Sequence, residues 1–476
     1  MSNAKTLPPA RRIGTPTMIA YSLGAVAYGV KDAGFGTFLL LYYNQVVGLP
    51  PASVGLAILC ALVLDALIDP AIGFLSDKTR SRWGRRHPWM YGSAMPIAIG
   101  WLLLWNPPAW GVPALLGWLF VTAVAVRTAV SAYEVPSVAL TPELTTDYDE
   151  RTRIMAYRYL FGWGGAMVVL AAAYTLLLVN PAGELDLHYR PGYVRFALVS
   201  TAAIVLAILI SSLGTHHEIK RLPRSEAAGG EEAHGLRELF QTLRNPAFLT
   251  LMMAGLFLYT NQGMSFAMST YLYSYVWLFD RTAFALLSAV LFIGALAAFV
   301  IAPWCGRRFG KPRAAALATA LAAMLLTLPY ALRLAGVFPQ PGDAALLPLL
   351  FAIYICNTTC TVAATMLGAS MMADVVEHSE VETGRRSEGV FFAGAFFVQK
   401  CTSGIGIFMT SLILQMAGLS ETMRPGDVGA ATVDRLTILY CGIYLCFGFI
   451  AALLYRRFPF GRDEHEARVS RLAAGD

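Results

Sequence analysis

The sequence predicts an all-α membrane protein, with twelve transmembrane helices in two six-helix bundles, on three observations. Hydrophobic residues make up 57% of the 476 residues and charged ones only 14%, a balance that suits a chain with much of its surface in lipid and not a soluble domain. Cutting at charged, polar and Pro-rich breaks leaves twelve apolar segments. At ~1.5 Å per residue each crosses, or nearly crosses, a ~30 Å hydrocarbon layer. The longest polar stretch, 214–245, falls between the sixth segment and the seventh and divides the chain into halves.

The elements follow in order. Residues 1–16 are polar and show no cleavable signal pattern, so the first apolar run is expected to be a span and the tail before it to be cytoplasmic. That run begins near 18–22 and continues past Lys31 and Asp32 to about 47. Segments near 52–75, 90–106, 112–138, 155–179 and 196–213 complete a first bundle over 17–213, and 214–245 form a cytoplasmic linker. Segments near 246–274, 283–304, 314–332, 345–373, 390–418 and 436–455 build a second bundle over 246–456, with a cytoplasmic tail at 457–476. The loop after the second span carries Gly73, Asp77, Lys78 and Arg80, faintly echoed by Gly306 to Lys311 after the eighth. Internal repeats of this kind are how many secondary transporters build a midplane site between their halves.

Charge sets the orientation. With the termini and alternate loops on one side, most Lys and Arg residues gather there, and the opposite loops hold only Arg190, Arg195, Arg281, Arg333, Arg424 and Arg435. By the positive-inside rule both termini face the cytoplasm, as in a multi-pass protein of the cell inner membrane. The net charge of +6 therefore reflects topology and is not read as nucleic-acid binding. Of the seven cysteines, six fall within spans and Cys305 sits beside a loop, without CxxC spacing, which favours a packing role over a disulfide or zinc. No phosphate-binding G-x4-G-K-[ST] loop is present, which argues against a primary pump.

The charges left inside the spans carry the chemistry. The first span has Lys31 and Asp32, the second Asp65 and Asp69, the fourth Arg127 and Glu134, the fifth Arg158 and the eleventh Lys400. Positive and negative groups balance, as expected if they pair around an enclosed path and do not face lipid. Asp65 and Asp69 lie four apart on one helix face, with β-carbons roughly 5–6 Å apart. Two carboxylates that close repel unless one is protonated, a cation sits between them or a basic side chain bridges them. Arg127, Ser131 and Glu134 form a polar stripe at i, i+4 and i+7. Ser131 offers a neutral oxygen to a cation, while Arg127 and Glu134 suit a polar substrate or each other.

Several blocks in order carry a family resemblance: Lys31-Asp32; Asp65-x3-Asp69-Pro70 running into Thr79-Arg80-Ser81-Arg82-Trp83-Gly84-Arg85; Val135-Pro136 with Pro142-Glu143-Leu144-Thr145; and Asp374 through Gly389 leading to Lys400. Over nearly its whole length the chain resembles the glycoside-pentoside-hexuronide:cation symporters, the melibiose-carrier branch of the major facilitator superfamily. The resemblance implies a coupling-cation site at Asp65, Asp69 and Ser131, a sugar site at Lys31, Asp32, Glu134 and Arg158, and a coupling role for Lys400. Two departures stand out: Ile68 replaces an Asn before the second aspartate, and Val138 replaces an aromatic that stacks on the sugar. The first removes a hard oxygen ligand for Na⁺ and the second a platform for a pyranose, so both H⁺ and Na⁺ stay open as the coupling ion.

The expectation is a monomeric symporter, not an enzyme and without a cofactor beyond the coupling Na⁺ or H⁺, moving a small polar solute by alternating access. Arg127 joins the sugar-facing set. Asp77, Arg80 and Arg85, with acids such as Glu143 and Asp147, are expected to latch one of two conformations. Lysophospholipid symporters of the same fold are the alternative, since the missing aromatic suits an amphiphile. An intramembrane acid/base enzyme is disfavoured because Asp65 and Asp69 share one helix and no nucleophile motif accompanies them.

Overall fold

A computed structural model describes residues 13–145, 147–221, 245–383, 388–419 and 423–459. The N-terminal tail up to residue 12, most of the expected linker and most of the C-terminal tail lie outside the described residues, as does 384–387 within the fourth resemblance block. Among the described residues twelve helices follow one another. They are α1 (15–46, an α-helix interrupted by π-helical turns at Gly34–Phe38 and Tyr42–Val46), α2 (Pro51–Lys78), α3 (His87–Leu104), α4 (Val112–Leu144), α5 (Tyr148–Ala172, closing in a π-turn at Ala173–Leu177) and α6 (Arg190–His216). Then come α7 (Pro246–Tyr271, closing in a π-turn at Leu272–Val276), α8 (Arg281–Phe309), α9 (Lys311–Leu334), α10 (Leu346–Thr383), α11 (Glu388–Ala417) and α12 (Ala430–Arg456). Nine of them carry windows long and apolar enough to cross a bilayer; the three others are the interrupted α1, the short α3 with its polar first turn, and α7.

Start and stop signals are local. Pro stands in the first turn of α3, α4, α6, α7 and α9, where its missing N–H costs nothing. Asp147, Asn245 and Asp280 cap α5, α7 and α8 by accepting first-turn backbone N–H groups. Several helices outrun the apolar segments, α4 by six residues to Leu144 and α10 by ten to Thr383, because the helix continues into polar sequence beyond the lipid. Cys441 is buried, but Cys60, Cys356 and Cys446 are exposed, so packing accounts for fewer of the thiols than expected.

The chain packs as two compact units, one of residues 1–35 and 64–229, the other of 36–63 and 230–476. In the first unit the close pairs are α1 with α5 and α6, and α3 with α4 and α6. In the second they are α7 with α11 and α12, α9 with α10 and α12, and α8 with α10; all but the last repeat the first unit's pattern displaced by six helices. The repeat reaches atomic detail. Where α1 meets α5, a β-carbon on Gly29 would stand 2.0 Å from the Gly162 carbonyl oxygen; where α7 meets α11, one on Gly263 would stand 2.3 Å from that of Ser403. Only glycine allows such backbone approach, the small-residue packing of membrane helices.

The ends of α1 and α7 match in the same way. Leu49 N–H donates to the Tyr43 carbonyl as Phe279 N–H donates to that of Tyr273, closing two equivalent caps. The first cap turns through Gly48 at φ +85°, the second through Leu278 at φ +48°, where an L side chain is strained by roughly 1–2 kcal/mol. Leu278→Gly should therefore raise stability by about 0.5–1 kcal/mol once the added flexibility of the unfolded chain is subtracted, read as a higher midpoint in a melt of the purified protein. In the second unit the same region is tied by Tyr271 Oη donating to Asn44 Oδ1 and Tyr275 Oη to Gln45 Oε1, each at 3.2 Å.

Candidate functional site

The in-span charges of the first unit come from α1, α2, α4 and α5, and they separate into two poles. At the first, Asp65 on α2 is buried at 2% exposure against α4. Arg127 Nε and Nη2 reach its Oδ2 at 2.9 and 2.8 Å, and Ser131 Oγ donates to its Oδ1 at 3.0 Å. The i, i+4 spacing on α4 puts the guanidinium and the hydroxyl on one face, so a single carboxylate takes both. The Phe35 ring lies 5.2 Å from the Arg127 guanidinium carbon, an added cation–π restraint. Asp69 follows one turn later, half-buried, just before Pro70. Arg127, expected to face substrate, thus gives its guanidinium to Asp65.

At the second pole Lys31 is buried and its Nζ lies 2.7 Å from Asp32 Oδ1 and 3.9 Å from Glu134 Oε2. The Asp32 side chain is 64% exposed and that of Glu134 about a third, so both acids keep open faces. Arg158 on α5 is 1% exposed. Its Nη1 donates to Ser137 Oγ at 3.0 Å, and its guanidinium carbon sits 4.7 Å from the Tyr21 ring and 5.8 Å from that of Tyr28. Among the described residues its Nε and Nη2 have no hydrogen-bond acceptor. A buried guanidinium with two unused donors is costly, and it is the kind of group a polar ligand would satisfy.

Sequence reasoning missed Tyr21, Tyr28 and Ser137. Tyr28 lies about one turn before Lys31 on α1 and Tyr21 two turns before Tyr28, while Ser137 is one turn after Tyr133 on α4, so helical spacing around the charged residues could have found them. Tyr21 Oη donates to the Ser137 carbonyl and lies 2.8 Å from Thr141 Oγ1, which ties α1 to α4 beside Arg158. Lys400 stands half-buried on α11, in the second unit.

Around the residues expected to form a latch, the ion pairs centre on a different cation. Arg86, buried, pairs with Asp77, donates from Nη1 to Ser76 Oγ at 2.8 Å and from Nε to Glu143 Oε1 at 3.1 Å, while Arg85 Nη2 reaches the same Glu143 oxygen at 2.8 Å. Arg80 is exposed, and no ion pair to it occurs among the described residues. The sequence could not rank Lys78, Arg80, Arg82, Arg85 and Arg86, because burial decides which of them is held. In the second unit Lys311, at the start of α9, pairs with Asp374 on α10 at 2.6 Å, six helices on from the pair of Arg86 with Glu143. Arg86→Ala should destabilise the first unit by about 2–3 kcal/mol and Arg80→Ala by under ~0.5 kcal/mol, compared in melts of the two variants.

Twelve helices among the described residues, with a packing pattern repeated in two units and charged side chains inside the spans, have the architecture of the major facilitator fold. The family to which the chain belongs makes it an integral membrane transporter and not an enzyme. The chain belongs to the family described as MFS/sugar transport protein, whose model matches residues 20–462. It is 26% identical to an isoprimeverose transporter of Lactiplantibacillus pentosus, covering 84% of this chain and 80% of that one. It is 23% identical to the sodium-dependent lysophosphatidylcholine symporter 1 of Gallus gallus, covering 98% and 90%. Among solved structures, a D-xylose-proton symporter superposes with a TM-score of 0.64 at 14% identity over 93% of this chain and 97% of that one, a likeness of fold.

Proposed function

We propose that this protein is a cation-coupled symporter of a sugar or glycoside, working by alternating access. The observation that carries the reading is the second pole. A buried Arg158 with two unused donors is held by Ser137 beside Tyr21 and Tyr28, and the partly open carboxylates of Asp32 and Glu134 stand around Lys31. Such a set offers donors and acceptors to a polyol without a net charge, which suits a neutral substrate. Arg127 supports this pole from behind by neutralising Asp65. The coupling cation, H⁺ or Na⁺, is addressed to Asp65, Asp69 and Ser131, with Lys400 linking its binding to substrate affinity. Asp77, Arg85 and Arg86, with Arg80 on the same loop, latch one conformation through Glu143. The bias of Lys and Arg to one set of loops supports cytoplasmic termini in a cell inner membrane, and the carrier is proposed to act as a monomer.

Moving one positive charge inward gains about 2.3 kcal/mol per 100 mV, roughly a 50-fold concentration ratio. The test is substrate-dependent cation flux in proteoliposomes with Na⁺ and pH gradients imposed separately. Asp69→Asn should abolish gradient-driven accumulation, and a variant that accumulates like the wild type would remove the cation site from α2. A second reading, an amphiphile such as a lysophospholipid, draws on Val138, 41% exposed where the resemblance expects an aromatic, and on the Gallus gallus relative. Uptake of labelled glycosides against lysolipids in the same vesicles separates the two.

A further inference from the structure

We infer that Arg127 is a tethered cation occupying, at Asp65, the place a transported alkali ion would take, so that Na⁺ and Li⁺ do not bind there while Arg127 is present. The inference deepens the proposed symport and rests on it only in taking the α2 carboxylates as the address of the coupling ion. An alkali ion is a hard cation that needs several oxygen lone pairs in place of its water. Around Asp65 three of the carboxylate's roughly four lone-pair sites are already taken. Oδ2 accepts two N–H groups of Arg127, and Oδ1 accepts the Ser131 hydroxyl. Position 68, one residue before Asp69, is isoleucine and brings no amide oxygen.

Charge and burial point the same way. Arg127 is 5% exposed, and its pair with Asp65 is neutral. A Na⁺ added beside that pair would leave an uncompensated positive charge in a dry site, and a Na⁺ that displaced the guanidinium would strand a buried cation with five donors. The guanidinium was dehydrated when the helices packed, whereas an incoming ion must shed its water on each cycle. Phe35 on one side and the shared helix face with Ser131 on the other hold Arg127 in this pose. The residue therefore sets ion selectivity by position: it supplies permanently the counter-charge that a transported metal ion would supply transiently.

The experiment compares purified wild type and variants in thermal melts titrated with NaCl or LiCl against choline chloride at constant ionic strength, and in uptake driven by a Na⁺ gradient alone. The wild type should show no saturable Na⁺ or Li⁺ effect in either assay. Arg127→Ala should acquire a saturable rise in melting temperature with a half-saturating Na⁺ concentration at least ~10-fold below any in the wild type. Arg127→Lys should behave as the wild type, and Asp65→Asn with Arg127→Ala should lose the acquired response. Saturable Na⁺ stimulation of the wild type would overturn the inference, and so would a folded Arg127→Ala that ignores Na⁺. The wild-type arm decides even if Arg127→Ala does not fold, in which case Arg127→Gln takes its place. If no ion gradient of any kind drives uptake, the symport reading fails instead, and the melts still judge Arg127 on its own.

Discussion

Replacing Arg158 by alanine is expected to cut substrate uptake at least ~100-fold while leaving the protein as stable as before, or more so. Arg158 is buried and makes one side-chain hydrogen bond, to Ser137, with Nε and Nη2 unused among the described residues. Holding a desolvated guanidinium in that state costs free energy, which on the proposed reading the hydroxyls of a bound substrate recover. Two charge-assisted hydrogen bonds at ~1.5–3 kcal/mol each set the scale of the loss. Removing the group removes the cost with the benefit, so a melt should move little or upward as uptake collapses. Arg158→Lys should recover only part of the activity, because an ammonium keeps the charge but cannot stack on Tyr21 and Tyr28 while donating in two directions. Parallel loss of stability and uptake would instead mark Arg158 as a structural residue.

The second large effect belongs to the buried pair on α2 and α4. Asp65→Leu alone should destabilise the protein by about 3–5 kcal/mol, because it leaves Arg127 buried without its counter-charge. The combined variant Asp65→Leu with Arg127→Met should recover most of that loss, since an apolar pair of similar volume has no charge to desolvate. A double-mutant cycle in unfolding experiments reads the coupling between the two positions directly. If the combined variant were as unstable as the sum of the single ones, the two side chains would not be energetically coupled, and the arrangement around Asp65 would have to be abandoned. Transport should be lost in both variants, which separates what the pair does for folding from the coupling role proposed for Asp65.

Much of this carrier was legible in advance. Spans follow from runs of apolar sequence long enough for a bilayer, and prolines and caps mark where α3, α4, α5, α7 and α8 begin. Charges inside those spans were readable as a candidate site because they are too expensive to place in lipid without purpose. The two units also share features that the faint echo between the 73–80 and 306–311 loops did not point to, namely the glycine crossings of α1 with α5 and of α7 with α11, and the matched caps at Gly48 and Leu278. Those glycines were invisible as a signal, since nothing in one sequence distinguishes a glycine at a helix crossing from any of the 42 in the chain.

By itself the sequence determined which helices exist, which residues on them are charged, and which of those share a helix face, because hydrophobic length and the 3.6-residue period act within one segment. Only the tertiary structure decided who meets whom. Arg127 could have faced substrate or Glu134 as far as spacing allowed, but α4 lies against α2 so that it meets Asp65, and Glu134 turns toward Lys31 instead. Arg86, not Arg80 or Arg85 alone, became the centre of the ion-pair cluster because its position reaches Ser76, Asp77 and Glu143 together. Pairing between helices depends on their crossing and rotation, which no single-segment pattern encodes, and in a low-dielectric interior that pairing decides which charge is available for work and which is already spent.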